Sequence, residues 1–352
     1  MGDGRRLLDA YAFSYVSAGR DVLRFAAAPL RQPTSPIVIA DPDFDLVGDT
    51  RASQQQSSSF EAPSPPRPAR GLWSRLLHRQ GGDRSPGRND RKQQPPPVGA
   101  VPASAHSRSS RDVSRSQLHF GRLPGTLIEG ERIAAMLGVE PWIEGSALEA
   151  RLKACRSPRI LHLATHGFFL ADQKRDPNEE QRGLGALSWE AGSLDRFSGR
   201  SFENPLLRSG LALAGVNTWL QNGPLPAEAE DGVLTAEDVT SLDLLDTELV
   251  VLSACETGLG DVRVGEGVFG LRRACVLAGA KTLVMSLWKV PDEQTQELME
   301  DFYRRVLSGE PRAAALRQAQ LAMQAKYPDP LYWGAFICQG DPGPLPPLQS
   351  GR

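Results

Sequence analysis

Apolar positions along this chain follow two patterns. Continuous apolar runs of strand length, bounded by turn residues, occur at PIVIADPDF (36–44), RILHLATHG (159–167), ELVVLSAC (248–255), KTLVMSLW (281–288) and YWGAFICQG (332–340). Other segments place apolar residues every three or four positions: TLIEGERIAAMLG (126–138), EGVFGLRRACVLAG (266–279), DEQTQELMEDFYRRVLSG (292–309) and PRAAALRQAQLAMQAKY (311–327). The first of these predicts a helix opened by a capping box of Thr126 and Glu129 and closed at Gly138. Strands apolar on both faces need cover on both faces. The alternation therefore predicts an α/β fold, a largely parallel sheet flanked by helices on both sides. No fixed-period repeat runs through the chain.

Residues 51–116 break this pattern with SQQQSSS, APSPPRPAR and QQPPPVG, and hold 12 Lys/Arg against 4 Asp/Glu. Such a stretch buries too little apolar surface to offset chain entropy and reads as a disordered insert in an acidic body. Within it GLWSRLLHR (71–79) sets Trp73, Leu76 and Leu77 at helical spacing, either a short partner-binding helix or a less polar patch of linker. QLHFGRLPG (117–125) reads as the chain re-entering the domain. The expected organisation is a folded N-terminal part over 1–50, the insert over 51–116, the main domain over 117–343 and a flexible tail over 344–352.

Composition narrows the function classes. With 352 residues, 40% hydrophobic, and a formal net charge of -2, the chain is an ordinary globular protein with no overall pull toward nucleic acid or anionic membrane. Its four cysteines (Cys155, Cys255, Cys275, Cys338) form no C-x-x-C pair, so neither a disulfide framework nor a zinc knuckle is indicated. No segment has the length of a signal peptide's apolar region or of a membrane span, which predicts a soluble cytoplasmic protein.

Two strands end in reactive residues, HLATHGFF delivering His166 and VVLSAC delivering Cys255. An imidazole within hydrogen-bond reach shifts a thiol toward thiolate and later protonates a leaving amine. In a parallel α/β sheet such groups gather at the carboxyl ends of the strands. The backbone N–H groups of Gly167 and Cys255 are the expected donors to an oxyanion at that rim. Other signals fall away. AGAKT (278–282) lacks P-loop spacing and runs from helix to strand, and His162 with His166 lacks the glutamate of a zinc H-E-x-x-H. No cofactor or metal is expected. His162 reads as a core or supporting residue, and Cys155, Cys275 and Cys338 as small buried hydrophobes.

The words LHLATHGFF, VVLSACETGLGDVRVGEGVFGLRRACVLAGAKTLVMSLWKVPDEQT and DPLYWGAFICQGDP resemble the CHAT domain, a caspase-like family related to separase and gingipain. The resemblance implies the caspase-type fold and a cysteine endopeptidase with His166 as base and Cys255 as nucleophile, acting on a protein or peptide. The context SACETG, with the histidine 89 residues upstream, departs from the caspase pattern, so aspartate specificity does not carry over. SLWKVPDEQT is similar to a separase stretch whose acid reads a basic residue. By that match Asp292 lines a substrate pocket for Arg or Lys, or serves only as the acid favoured at a helix start. Glu266 in VGEGV is either a second acidic wall or another first-turn acid. The family association implies a regulatory partner of tetratricopeptide-repeat type. An acidic pocket would also make the Arg-rich insert a candidate substrate of its own protease; the alternative is that it is only a tolerated surface loop. The rival class is a non-catalytic scaffold that keeps the fold and the dyad residues.

Overall fold

The computed structural model describes residues 6–27, 30–48, 119–169, 205–207, 209–253, 255–256 and 266–347. All of them belong to one compact unit made of Met1–Asp49 and Ser109–Arg352. The expected insert at 51–116, and residues 348–352 of the expected tail, lie outside the described residues.

Ten strands are described: β1 (Ile37–Pro42), β2 (Trp142–Glu144), β3 (Ile160–Ala164), β4 (His166–Phe169), β5 (Ser209–Ala212), β6 (Val233–Thr235), β7 (Leu249–Leu252), β8 (Cys255–Glu256), β9 (Thr282–Ser286) and β10 (Phe336–Gly340). The helices are α1 (Leu7–Ala10), α2 (Pro124–Leu137), α3 (Glu149–Lys153), α4 (Val216–Leu220), α5 (Ala236–Thr240), α6 (Glu266–Ala278), α7 (Asp292–Leu307) and α8 (Arg312–Lys326).

Six strands form the central sheet in the order β10-β9-β7-β3-β1-β2. All neighbours are parallel except the β10–β9 edge pair. Successive residues of these strands go to opposite faces, both covered for the inner strands, which is why their sequences are largely apolar. Ile39, Leu161, Leu163, Val250, Leu252 and Leu283 pack under α6 with Leu271, Ala274 and Cys275. Val38, Ile160, Val251 and Val284 pack on the other face with Ile133 of α2, Leu298 and Phe302 of α7, and Leu316 of α8. Each fully buried aliphatic side chain contributes about 1.5–3 kcal/mol relative to exposure, so the double cover is the main source of stability. The expected α/β class, with a mostly parallel sheet between helices, is what the chain adopts.

Two local expectations need correction. The first helix does not open on a Thr126/Glu129 capping box: Pro124 takes the first helical position, where its missing N–H costs nothing, and Leu123 is the N-cap. Thr126 instead bonds Leu123 O through its hydroxyl, and Glu129 turns into the interior. The expected closure holds, with Gly138 left-handed at φ 69°. Second, the runs 159–167 and 248–255 are each two strands. β3 gives way to β4 at Thr165, whose hydroxyl donates to Ala212 O at 2.6 Å. β7 gives way to β8 after Ser253, whose N–H bonds Leu163 O. The continuations leave the main sheet and join a smaller one of order β6-β5-β4-β8, in which β5 is antiparallel to β4 and β6, and β4 and β8 are parallel.

Candidate active site

Because β3 and β7 are parallel neighbours that both bend into the small sheet, their continuations bring two distant residues side by side. His166 opens β4 and Cys255 opens β8, and they are direct register partners, with Gly167 opposite Glu256. Parallel neighbours lie about 4.8 Å apart. The two residues thus stand at the first step beyond the carboxyl ends of the central strands, not at the ends themselves. Gly167 is paired on both sides, facing Leu211 of β5 as well as Glu256. For Cys255 and Glu266 the backbone alone is described, and Glu266 opens α6.

The His166 ring is 7% exposed and caged by two aromatic rings, Phe44 at 5.3 Å and Phe120 at 5.7 Å between centroids. Its Nε2 lies 2.6 Å from Gly121 O. A carbonyl only accepts, so Nε2 carries the proton, and the neutral ring keeps its lone pair on Nδ1. Burial disfavours the imidazolium and is the largest of the influences that set the His166 pKa below its ordinary value. The Gly121 carbonyl opposes it, Lys289 adds to it, and Asp292 opposes it. The residue is therefore a neutral base with a defined tautomer.

Beside His166 opens a recess lined by Leu123, Thr126, Glu129, Thr165, Ser253, Lys289, Asp292 and Thr295. Asp292 is the first residue of α7, with Pro291 as N-cap, so its position is set by the helix start. Gly125 of α2 makes room for it: a Cβ there would collide with the Asp292 side chain. The pattern did not single out Glu129 as part of any site. Its carboxylate is buried, accepts from Ser253 Oγ at 3.0 Å, and leaves Oε1 without a hydrogen bond, 3.4 Å from His162 Nε2. His162 is fully buried, with Nδ1 3.1 Å from the Tyr303 hydroxyl. Thus His162 supports the site from below, and Glu129 and Ser253 link α2 to the strand that leads to Cys255. The recess holds two carboxylates and one exposed ammonium beside a neutral imidazole.

Cys155, Cys275 and Cys338 are buried, and burial pushes their thiols up to about 11, 12 and 11. Thiols held that high are inert at neutral pH. Among the described residues, no group of three His, Cys, Asp or Glu is placed to hold a metal ion, and no helix is long and apolar enough to cross a membrane.

Residues 1–341 match the family model of the CHAT domain. Tetratricopeptide repeat protein 28 from Mus musculus is 28% identical over 230 residues, covering 63% of this chain and 9% of that protein. The Homo sapiens protein of the same name is 25% identical over 236 residues, covering 63% and 8%. The chain therefore spans less than a tenth of the length of these curated relatives. A crystal structure of gingipain R, titled an Arg-specific cysteine proteinase, superimposes with a TM-score of 0.36 and 11% identity over 62% of this chain and 42% of that one, too loosely to carry an argument.

Proposed function

Because the chain belongs to the CHAT domain family, we propose that it is a cysteine endopeptidase of caspase-like type in which His166 and Cys255 form the catalytic dyad. One observation carries this reading: two chemically matched residues 89 positions apart are register partners on adjacent parallel strands, and the histidine is held as a neutral base. His166 Nδ1 takes the proton from the Cys255 thiol, and the thiolate adds to the peptide carbonyl carbon. The oxyanion forms against the backbone N–H of Cys255; Gly167, the other expected donor, is held between two strands of the small sheet and is not given that role. The C–N bond then breaks, the amine leaves with the proton from His166, and a thioester remains. Water gives a proton to His166 and adds to the thioester. The acid departs and the thiol is restored. No cofactor is required.

For the residue before the cleaved bond we assign Arg or Lys. Asp292 and Glu129 line the recess next to His166, and a guanidinium pairs well with carboxylates in a partly desolvated pocket. Glu266 has no described side chain to support its expected role as a second wall. Control by a tetratricopeptide-repeat protein is also part of the proposal, supported by relatives of that name.

Intact-mass spectrometry with an Arg-containing acyloxymethylketone tests the reading, with and without a candidate repeat-protein partner. A single adduct on the wild type, absent from Cys255→Ala, is expected. Asp292→Lys should slow labelling by roughly 10–100-fold, since it replaces an attraction with a like-charge contact. Reaction of Cys255→Ala at the wild-type rate would overturn the dyad. Unchanged Arg labelling in Asp292→Lys would overturn the specificity.

A further inference from the structure

The carbonyl that orients His166 belongs to a glycine in an irregular segment, and glycine is the residue least able to hold its own backbone in place. The structure shows what holds it. On one side of Gly121, the Asn217 side chain clasps Phe120 in the manner of a strand partner: Oδ1 accepts from Phe120 N at 3.0 Å and Nδ2 donates to Phe120 O at 2.9 Å. The second Nδ2 hydrogen goes to Asp45 Oδ1 at 3.0 Å, so both amide hydrogens are used, and the residue is 1% exposed. On the other side, Arg122 grips Asp41 through Nε and Nη2 at 2.8–3.2 Å, with Glu144 taking a further bond from Nη2 at 2.6 Å.

Asp41 is itself anchored. It lies at the carboxyl end of β1 in a left-handed conformation, φ 42°, and its N–H donates to the Thr126 hydroxyl. Asp tolerates that conformation better than most residues because of its short polar side chain. The short helix α4 that carries Asn217 is fixed in turn, with the Asn217 N–H bonded to Phe44 O at 2.8 Å. Both neighbours of Gly121 are therefore pinned from separate elements. Phe120, pinned by Asn217, is also one of the two rings that cage His166.

We infer that Asn217 and the Asp41–Arg122 pair are positioning residues for His166, acting through the Gly121 carbonyl to fix the Nε2–H tautomer and the ring's orientation. The inference deepens the peptidase reading, for which this tautomer leaves Nδ1 free to take the thiol proton, but the geometry it describes does not depend on turnover. A buried amide that satisfies both backbone groups of one residue leaves that residue two unpaired groups when it is removed. Loss of either pin lets the 120–122 segment relax, and the histidine loses its acceptor.

The test is nitrogen NMR of the full chain labelled in its histidine rings. The chain has five histidines, and His166→Gln assigns the one that matters. Wild type is expected to show His166 as the Nε2–H tautomer, with pyrrole-like Nε2 and pyridine-like Nδ1 shifts. Asn217→Ala and Arg122→Gln should move both nitrogens toward averaged tautomeric values. Labelling of Cys255 should slow by roughly 10–100-fold in the same variants. Arg305→Gln, remote from the site, should change neither. If Asn217→Ala does not fold, Arg122→Gln still decides: the Arg122 side chain is 56% exposed, and combining the change with Asp41→Asn removes the buried charge that the single variant would strand. An unchanged His166 spectrum in folded Arg122→Gln would overturn the inference. A shifted spectrum in a protein whose Cys255 does not react in the wild type would uphold the positioning and sink the peptidase reading instead.

Discussion

At the scale of single residues, the chemistry turns on where a proton sits. His166 is buried between Phe44 and Phe120, and burial is the main reason its charged form is disfavoured. The ordinary value is 6.5, and the folded value lies below it. Between those two values the unfolded chain binds a proton that the folded chain refuses, so stability falls as pH drops through this window and levels off below the folded value. Above 6.5 the group contributes no such penalty. Melting temperatures of wild type and His166→Gln, measured from pH 8 to pH 5, should therefore keep a constant offset at the alkaline end, while toward acid the wild type loses more than the variant. Parallel curves would contradict the desolvated, neutral histidine. On the proposed mechanism the same protonation withdraws the base, so the acid limb of Cys255 labelling should fall below pH 6.5 and not above it. That His166 and Cys255 come to lie side by side was readable from strand-end residues of complementary chemistry. Gly121, Asn217 and the Asp41–Arg122 grip were not, because a backbone carbonyl carries no residue-type signal. An asparagine in a five-residue helix looks like any other loop-proximal amide until its partner segment arrives from nearly a hundred positions upstream.

At the scale of elements, close approach decides more than propensity does. Gly130 sits in the middle of α2, where glycine costs roughly 1 kcal/mol of helix stability relative to alanine. The reason for it lies across the interface: a Cβ at Gly130 would collide with the Cβ of Ala40, a fully buried residue of β1. Both atoms are fixed to backbone, so neither can rotate away. Gly130→Ala should consequently destabilise the protein by about 1–3 kcal/mol despite the better helix former, as overpacking does. Chemical denaturation reads this directly, and a stabilised variant would show that α2 is free to slide on β1. Five of the six central strands were visible in the sequence because burial on both faces makes them largely apolar; the edge strand β2, WIE, is only partly buried and was missed. β5 and β6 were missed: SGLA and VLT are too short to stand out as runs, and their pairing with β4 depends on a bend that no local pattern announces. That bend at Thr165 is what converts one expected strand into two and sets His166 beside Cys255. The capping-box expectation failed for a related reason. Its glutamate is used by the interior, where it accepts the Ser253 hydroxyl.

At the scale of the whole chain, residues 51–116 stand apart in composition, with 12 Lys/Arg against 4 Asp/Glu. We propose that they are an insert the domain does not need. Support comes from the described residues on either side of it, which are joined without its help: Arg122 to Asp41, the Phe120 ring to Phe44 at 6.1 Å, and Asn217 to both Asp45 and Phe120. Those contacts tie the departing and returning chain together at the cage of His166, so a long connection between them adds only closure entropy. Each halving of loop length recovers about 0.6 kcal/mol. Replacing 51–116 with a Gly/Ser linker of about ten residues should therefore stabilise the protein by roughly 1.5 kcal/mol, a rise of about 2–3 °C in melting temperature. The shortened chain keeps every pin around Gly121, so its His166 tautomer and its Cys255 labelling should match the full-length protein. A fall in melting temperature would mean instead that the Pro/Ser/Arg-rich stretch packs on the domain. Full stability with a disturbed His166 would mean that the stretch bears on the base through the seam where its two flanks meet.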